Sequence, residues 1–404
     1  MAKTLACIDI GGSKIACLVG ETDERSGCVL LKSADIRESR GIDGGNIINV
    51  KEFIRVVEKV VSNVEKICGQ NIKSVFVNLA GDDAQSSLIS LEKPMPDDGK
   101  ISRNDIYKIS GEIIGKFEAD DKEVIQAVLV SSNRDENNTI KYTFNVICAV
   151  RKKTNKIKIS LAKLNIGVEN FVCNSFASSL CIGEYETSMR IALAIDFGYE
   201  FTDFCVLQNG KTIYNDSIRL AGKILTQDIA TILRIPFGLA EEVKIKNVTL
   251  LLDVFEEREN IRVSVDGGED SFRVAKEKRK LVNDVFFARM EEIVYKIKSI
   301  LEKKKLFDKI DSVIITGGTS NTFGLEKFVE DKLGLKTKKI FINNFEVNNT
   351  LDEEKIRNPI YSTALGLLSF ASKMSQQREI VGKNSPFGNF VNGLLQNLIN
   401  LFIS

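Results

Sequence analysis

The stretch IDIGGSK at residues 8–14 places an aspartate, two glycines, a hydroxyl and an ammonium in close succession. Such a set can hold a phosphate. Gly11 and Gly12 admit a ligand close to the main chain and tolerate positive φ, so backbone N–H groups can point at an anion. Ser13 adds a hydroxyl and Lys14 a cation, and Asp9 behind them can hold water on Mg²⁺. An ordinary tight hairpin reads the same way, so this stretch alone decides nothing. A second stretch, IDFGYEFTD at residues 195–203, repeats the pattern with Asp196 and Gly198, and Asp203 can fasten its turn. Here Tyr199, Glu200 and Phe201 follow, where small residues would suit a phosphate better. These side chains crowd the loop unless Glu200 turns outward. A carboxylate about 4 Å from a phosphate charge costs about 1 kcal/mol in water and about 4 kcal/mol at intermediate dielectric. A third stretch, TGGTS at 316–320, sets Gly317 and Gly318 at a strand end, with Thr319 and Ser320 opening a helix. It suits a third contact of the same kind, or a plain βα turn.

Apolar runs must position these loops. TLACIDI, KIACLVG and VLLKSADI read as three strands, followed by a helix over 51–70 and a strand SVFVNLAG. In that helix Phe53, Ile54, Val57, Val60, Val61, Val64 and Ile67 fall at helical spacing. From residue 191 the order repeats: IALAIDFG, FTDFCVLQNG and KTIYNDSIRL, then a helix GKILTQDIATIL. DSVIITGG adds a strand and TSNTFGLEKFVEDKLG a helix. The chain is therefore an internal duplication, each half opening on an aspartate at a hairpin. Two loops of the same kind in duplicated frames favour the phosphate reading over two unrelated turns. Residues 84–163 interrupt the first half with elements of their own: helices at NDIYKISGEIIGKF and KISLAKLN, strands at VIQAVLVSS and YTFNVICAVRKK.

Composition excludes several chemistries. The 404 residues carry 56 basic and 55 acidic side chains, a net charge of +1, so no bulk field favours nucleic acid. KEKRK at 276–280 reads as a solvated face rather than a phosphate patch. There is no histidine, which removes Ser-His-Asp and Cys-His catalysis and His-ligated zinc. The eight cysteines never form CxxC and several lie in apolar runs, as expected of reduced, buried thiols in a cytosolic protein. The first residues enter a strand without a signal peptide's pattern, and no apolar stretch is long enough to span a bilayer.

The segment PFGNFVNGLLQNLINLFIS puts Phe387, Phe390, Val391, Leu394, Leu395, Leu398, Ile399 and Phe402 on one helical face and Asn and Gln on the other. Its length of about 25 Å approaches a span. The amide face would be unsatisfied in hydrocarbon, so the helix is expected to lie in the membrane interface. A terminal helix docked on the body is the competing reading. No charged side chain occurs from Asn384 to Ser404, so binding should rest on insertion, helped only by Lys373, Arg378 and Lys383. Residues 371–386 are polar and aperiodic and read as a linker reaching about 20 Å.

The ordered set IDIGGSKIACLVG, GIDGGNI, VFVNLAG, AIDFGYEFTDF, AGKILTQDIA, AEEVKIK, VIITGGTSNTFGLEKFVE and NPIYSTALGLL resembles the FtsA family of bacterial cell-division proteins. That family is actin-like, related to MreB and the Hsp70 ATPase domain, and the resemblance covers essentially the whole chain. It implies an α/β, duplicated, two-lobed actin-like (ribonuclease H-like) fold with an inserted small α+β domain. Residues 1–83, 164–190 and 358–371 would form the first subdomain, and 84–163 the insert. Residues 191–227 and 291–357 would form the second, and 228–290 a small lobe. A linker over 372–386 and a membrane-targeting helix over 387–403 would complete the chain.

The resemblance further implies ATP between the lobes, with Asp9 and Asp196 facing Mg²⁺ through water. Gly11, Gly12, Ser13, Lys14, Gly198 and Gly222 would lie near the phosphates, and Gly317, Gly318, Thr319 and Ser320 near the adenosine. Glu241 and Lys244 would reach ribose and base; without the family they read as an exposed i,i+3 helix pair. Implied partners are the C-terminal peptide of the tubulin-like FtsZ at 228–290, further copies of the chain in actin-like filaments, other division proteins and the inner face of the cytoplasmic membrane. The residues at 199–201 imply weak or absent ATP hydrolysis. A pilus-assembly scaffold of the PilM type remains an alternative, as does a sugar kinase using Asp82 or Asp83 as base.

Overall fold

The computed structural model describes residues 3–22, 28–81, 84–96, 103–117, 121–181, 191–251, 261–264, 271–274, 276–340, 342 and 345–381. Asp82, Asp83 and the segment 382–404, including all eight residues of the apolar stripe, lie outside them.

The chain opens with strands β1 (Lys3–Ile10), β2 (Lys14–Thr22), β3 (Val29–Glu38), β4 (Ile42–Asp43) and β5 (Asn46–Ile47). Helix α1 (Val50–Cys68) and β6 (Ser74–Leu79) follow. The insert contains β7 (Ala84–Pro94), α2 (Arg103–Phe117), β8 (Lys122–Arg134), β9 (Thr139–Val150) and α3 (Arg151–Ala162). The chain returns through β10 (Gly167–Cys173) and α4 (Asn174–Ser179). The second half runs β11 (Ile191–Phe197), β12 (Thr202–Gln208), β13 (Lys211–Ile218), α5 (Gly222–Leu233) and α6 (Phe237–Asn247). Then come β14 (Ile261–Ser264), β15 (Ser271–Val274), α7 (Lys276–Lys303), β16 (Ser312–Thr316), α8 (Leu325–Leu333), β17 (Lys336–Lys339), β18 (Phe345–Val347), α9 (Glu353–Ile356) and α10 (Ser362–Val381).

Sheet pairing makes the duplication explicit. The first large sheet has the order β10-β6-β1-β2-β3-β18, the second β13-β12-β11-β16-β17. In each, an antiparallel meander (β1-β2-β3; β11-β12-β13) is extended by a parallel strand beside its first member (β6; β16). The insert forms its own antiparallel sheet, β7-β9-β8. β7 has no counterpart in the sequence reading because its QSSLISLEK carries little apolar alternation, and RKK at 151–153 opens α3 rather than ending β9.

Helices α4 and α10 lie between the two sheets. Their Ala177, Leu365, Leu368 and Ala371 share one apolar cluster with Leu5 and Cys7 of β1 and with Ala192 and Ala194 of β11. The opposite faces pack outward, Ala6, Ile8 and Ile10 against α1 and Leu193, Ile195 and Phe197 against α5 and α7. Because strand side chains alternate, Asp9 shares the parity of Leu5 and Cys7, and Asp196 that of Ala192 and Ala194. Both carboxylates therefore project toward the space between the sheets, at the ends of their strands. This parity is what brings the two halves' chemistry together.

Helix α1 buries Phe53, Val56, Val57, Val60, Val61 and Val64, and is capped by the Asn49 side chain and by left-handed Gly69. Ile67 falls beyond that stripe and is 46% exposed. The stretch that reads as a linker is helical up to Val381, because Ala371 and Met374 continue α10's buried face. Where α10 crosses α4, a Cβ on Gly366 would lie 1.7 Å from the Ala177 carbonyl oxygen, and Phe176 meets Phe370 edge-on at 6.1 Å. Only glycine permits that approach. Gly366→Ala should destabilise the protein by about 3 kcal/mol, the upper end of overpacking costs. The loss would appear as a lower urea midpoint with an unchanged slope; an unchanged midpoint would contradict the close crossing.

Candidate functional site

The first hairpin closes where the Gly11 N–H donates to the Lys14 carbonyl at 2.9 Å. Asp9 is 4% exposed and faces Lys14 Nζ at 3.5 Å. Burial raises its pKa, and Lys14 pulls it back. In the second hairpin the Gly198 N–H donates to the Phe201 carbonyl at 3.1 Å, and Asp196 accepts from the Thr363 hydroxyl of α10 at 3.3 Å. Asp196 is pushed up to about 7, first by burial and then by the neighbouring Asp203. Gly317, at φ +88°, is obligatory: a Cβ there would fall 2.2 Å from Asp196 Oδ1.

These elements enclose one cavity of about 410 Å³, within the size range of small-ligand sites. Asp9, Gly11, Gly12, Ser13, Lys14, Asp196, Gly198, Glu241, Lys244, Gly317, Gly318 and Thr319 all line it. Gly222 and Ser320 stand just behind. The Gly222 N–H donates to the Gly198 carbonyl at 3.0 Å, and Ser320 Oγ donates to the Gly317 carbonyl at 2.7 Å.

Glu241 and Lys244 are not the exposed pair that spacing alone suggests. Lys244 is 7% exposed, and its ammonium donates to the Gly222 carbonyl at 3.1 Å, Thr226 Oγ1 at 2.9 Å and Glu241 Oε2 at 2.8 Å. Burial lowers its pKa against the pull of Glu241. Beside it Ile245 offers an exposed apolar surface to the cavity.

Glu200 neither points at solvent nor lies loose in the cleft. It reaches across to the first lobe and accepts the backbone N–H groups of Gly44 and Gly45. Phe201 is 4% exposed and lies on Gly81, where a Cβ would fall 2.5 Å from its ring, and the Arg219 guanidinium covers it at 5.3 Å.

Two asparagines escaped the sequence reading. Asn78, at the end of β6, accepts the Ile10 N–H at 2.6 Å and donates to the Ile10 carbonyl at 3.2 Å and to Asn174 at 2.8 Å. Asn174 donates in turn to Asp203 at 3.1 Å. This chain ties the first loop's base to the second hairpin. Its signal was available in VFVNLAG and VCNSFAS, where a lone amide follows an apolar run, as the aspartates do.

The family model described as "Cell division protein FtsA" matches residues 193–366. The chain is 24% identical over 392 residues to the cell division protein FtsA of Pseudomonas aeruginosa, covering 91% of this chain and 89% of that one. It is 23% identical over 402 residues to that of Streptococcus pneumoniae serotype 2, covering 93% and 83%. Over most of its length the chain is similar to cell division proteins named FtsA. Among solved structures, the PilM-PilN type IV pilus biogenesis complex superposes with a TM-score of 0.66 at 16% identity, over 91% of this chain and 98% of that one. MreB5 of Spiroplasma citri bound to ADP gives 0.57 at 13% identity, over 94% and 99%. These likenesses establish the fold as actin-like and two-lobed, in keeping with the duplicated sheets.

Asp196 makes stability pH-dependent. Its folded pKa of about 7 lies above the ordinary 3.8, so between these values the native state binds more protons than the unfolded one. Stability from this group is therefore full below that window and falls as pH rises through it. Without added divalent cation, Asp196→Asn should flatten the decline in urea midpoint between about pH 4 and pH 7. An equal slope in both proteins would contradict the assignment.

Proposed function

We propose that this protein binds an adenine nucleotide with Mg²⁺ between its lobes and serves in cell division as a membrane tether for FtsZ filaments. One observation carries the nucleotide reading: both duplicated hairpins, with Asp9 and Asp196, open on the same cavity as Lys244 and the Gly317–Gly318 turn. The residues suit the ligand. Gly11 and Gly198 close their hairpins and let a ligand approach the main chain, the Gly12 and Ser13 amides and the Lys14 ammonium would face the phosphates, and two buried carboxylates form a negative pair that a divalent cation would neutralise. Among the described residues no group of three or more His, Cys, Asp or Glu gathers to hold a metal. A cation here would keep water and phosphate ligands beside two carboxylates, which is the habit of Mg²⁺. MreB5 has been solved with ADP and with AMPPNP in the same fold.

Asp9 and Asp196 would hold Mg²⁺ through water, Gly11–Lys14 and Gly198 the phosphates, and Glu241, Lys244 and Gly317–Ser320 the nucleoside. Nucleotide would bias the lobes between arrangements rather than fuel turnover, with hydrolysis weak or absent. FtsZ's C-terminal peptide would dock on the lobe at 228–290. Further copies of the chain would assemble into filaments, and other division proteins would bind the body. The stripe from Phe387 to Phe402 would hold the molecule at the inner face of the cytoplasmic membrane. Among the described residues no helix is long and apolar enough to cross a membrane. The likeness to PilM is one of fold, whereas the sequence relatives named above are cell-division proteins, which favours the division role over a pilus scaffold.

Sedimentation with anionic vesicles and FtsZ polymers tests this reading. The full chain should carry FtsZ down with vesicles nearly independently of salt, because the tail lacks charge. A chain ending at residue 383 should stay in the supernatant while still binding nucleotide. Vesicle binding that survives the truncation, or falls several-fold between low and high salt, would contradict the tether as drawn.

A further inference from the structure

Glu200 belongs to the second hairpin, yet its carboxylate ends on the first lobe. Oε1 accepts the Gly44 N–H at 3.0 Å and Oε2 the Gly45 N–H at 2.9 Å. Both glycines sit at positive φ, +54° and +72°, in the turn between β4 and β5. Two successive amides there form a small nest for an anion. The side chain is only 5% exposed, and Lys223 Nζ stands 3.3 Å from Oε1. Asp43 competes for that ammonium at 2.6 Å. A Cβ built on Gly12 would fall 2.3 Å from Glu200 Cδ, so the carboxylate lies directly over the first phosphate loop.

On the nucleotide reading above, the nucleoside takes one side of the cavity and the end of the phosphate tail the other. Lys244 marks one, joined through the Gly222 carbonyl and the Gly222 N–H to the carbonyl of Gly198. Glu200, over Gly12 and beneath Gly44 and Gly45, marks the other.

We propose that Glu200 is a built-in anion at the far end of the phosphate track, so that the site takes a nucleoside diphosphate in preference to a triphosphate. This rests on the nucleotide reading above. A tail entering from the Lys244 end passes Gly198 and the first loop and meets Glu200 last. The penalty therefore falls on the terminal phosphate of a triphosphate. That phosphate is brought against a like charge in a partly buried setting. It also finds the Gly44 and Gly45 amides already accepted by the carboxylate, while Lys223 is shared with Asp43. A diphosphate leaves the Glu200 contact intact, and with it the bond between the lobes.

Binding of Mg-ADP and Mg-ATP to the full chain, in wild type, Glu200→Gly and Glu200→Gln, tests the inference. Wild type should bind ADP about tenfold or more tighter than ATP, by charge repulsion at this distance. E200G should close the gap by tightening ATP, and E200Q, which keeps an acceptor without the charge, should fall between. Equal affinities in wild type, or an E200G protein that weakens both nucleotides alike, would overturn the preference and leave the nucleotide reading standing. Failure of all three proteins to bind either nucleotide would remove both. Hydrogen exchange supplies a second readout. The Gly44 and Gly45 amides should exchange about tenfold or more faster in E200G than in wild type, with α1 unchanged. Equal rates would show that the carboxylate does not hold that turn.

Discussion

Two carboxylates buried at strand ends set the terms for the whole molecule. A buried ionised carboxylate is costly unless it is paired or hydrogen-bonded. Asp9 has Lys14 and Asp196 has the Thr363 hydroxyl, yet burial and the neighbouring Asp203 still push Asp196 up to about 7. Strand parity, small residues such as Ala192 and Ala194, and the glycine turn at 317 all serve to place these groups on the inner face. A divalent cation would relieve an arrangement so incompletely neutralised, in line with the function proposed above.

The lobes are coupled by polar contacts that radiate from the same place. Asn78 and Asn174 carry a hydrogen-bonded chain from the Ile10 backbone to Asp203. Glu200 and Phe201 cross the cleft in the other direction, onto the Gly44–Gly45 turn and Gly81. Helices α4 and α10 fill the space between the sheets with a crossing that only Gly366 allows. Any ligand between the hairpins therefore acts on contacts that both lobes share, which is the condition for converting occupancy into a change of lobe arrangement.

Much of this was legible in the sequence, and for physical reasons. Glycine pairs after apolar runs mark turns that approach a ligand, and a repeated order of strands and helix marks a duplication. Those patterns point to Asp9, Lys14, Asp196 and Gly317, which line one cavity. What stayed hidden depends on tertiary contacts. The spacing of Glu241 and Lys244 fits a solvated helix pair equally well, and only the packing of α6 against Gly222 buries the ammonium. The destination of Glu200 could not be read, because its partners are backbone amides 155 and 156 positions away. The polar stretch after residue 371 lacks a periodic face of its own, yet it continues α10 because Met374 finds a buried seat.

The central claim is that the paired hairpins grip one nucleotide's phosphates in a shared cavity. A crystal structure of the full chain grown with Mg²⁺ and ADP tests this most directly. The account predicts the phosphates against the Gly11–Lys14 and Gly198 loops, within hydrogen-bonding distance of the Gly12 and Ser13 amides and the Lys14 ammonium, with the cation between Asp9 and Asp196. Nucleotide bound anywhere else, with these two carboxylates facing only protein, would contradict it.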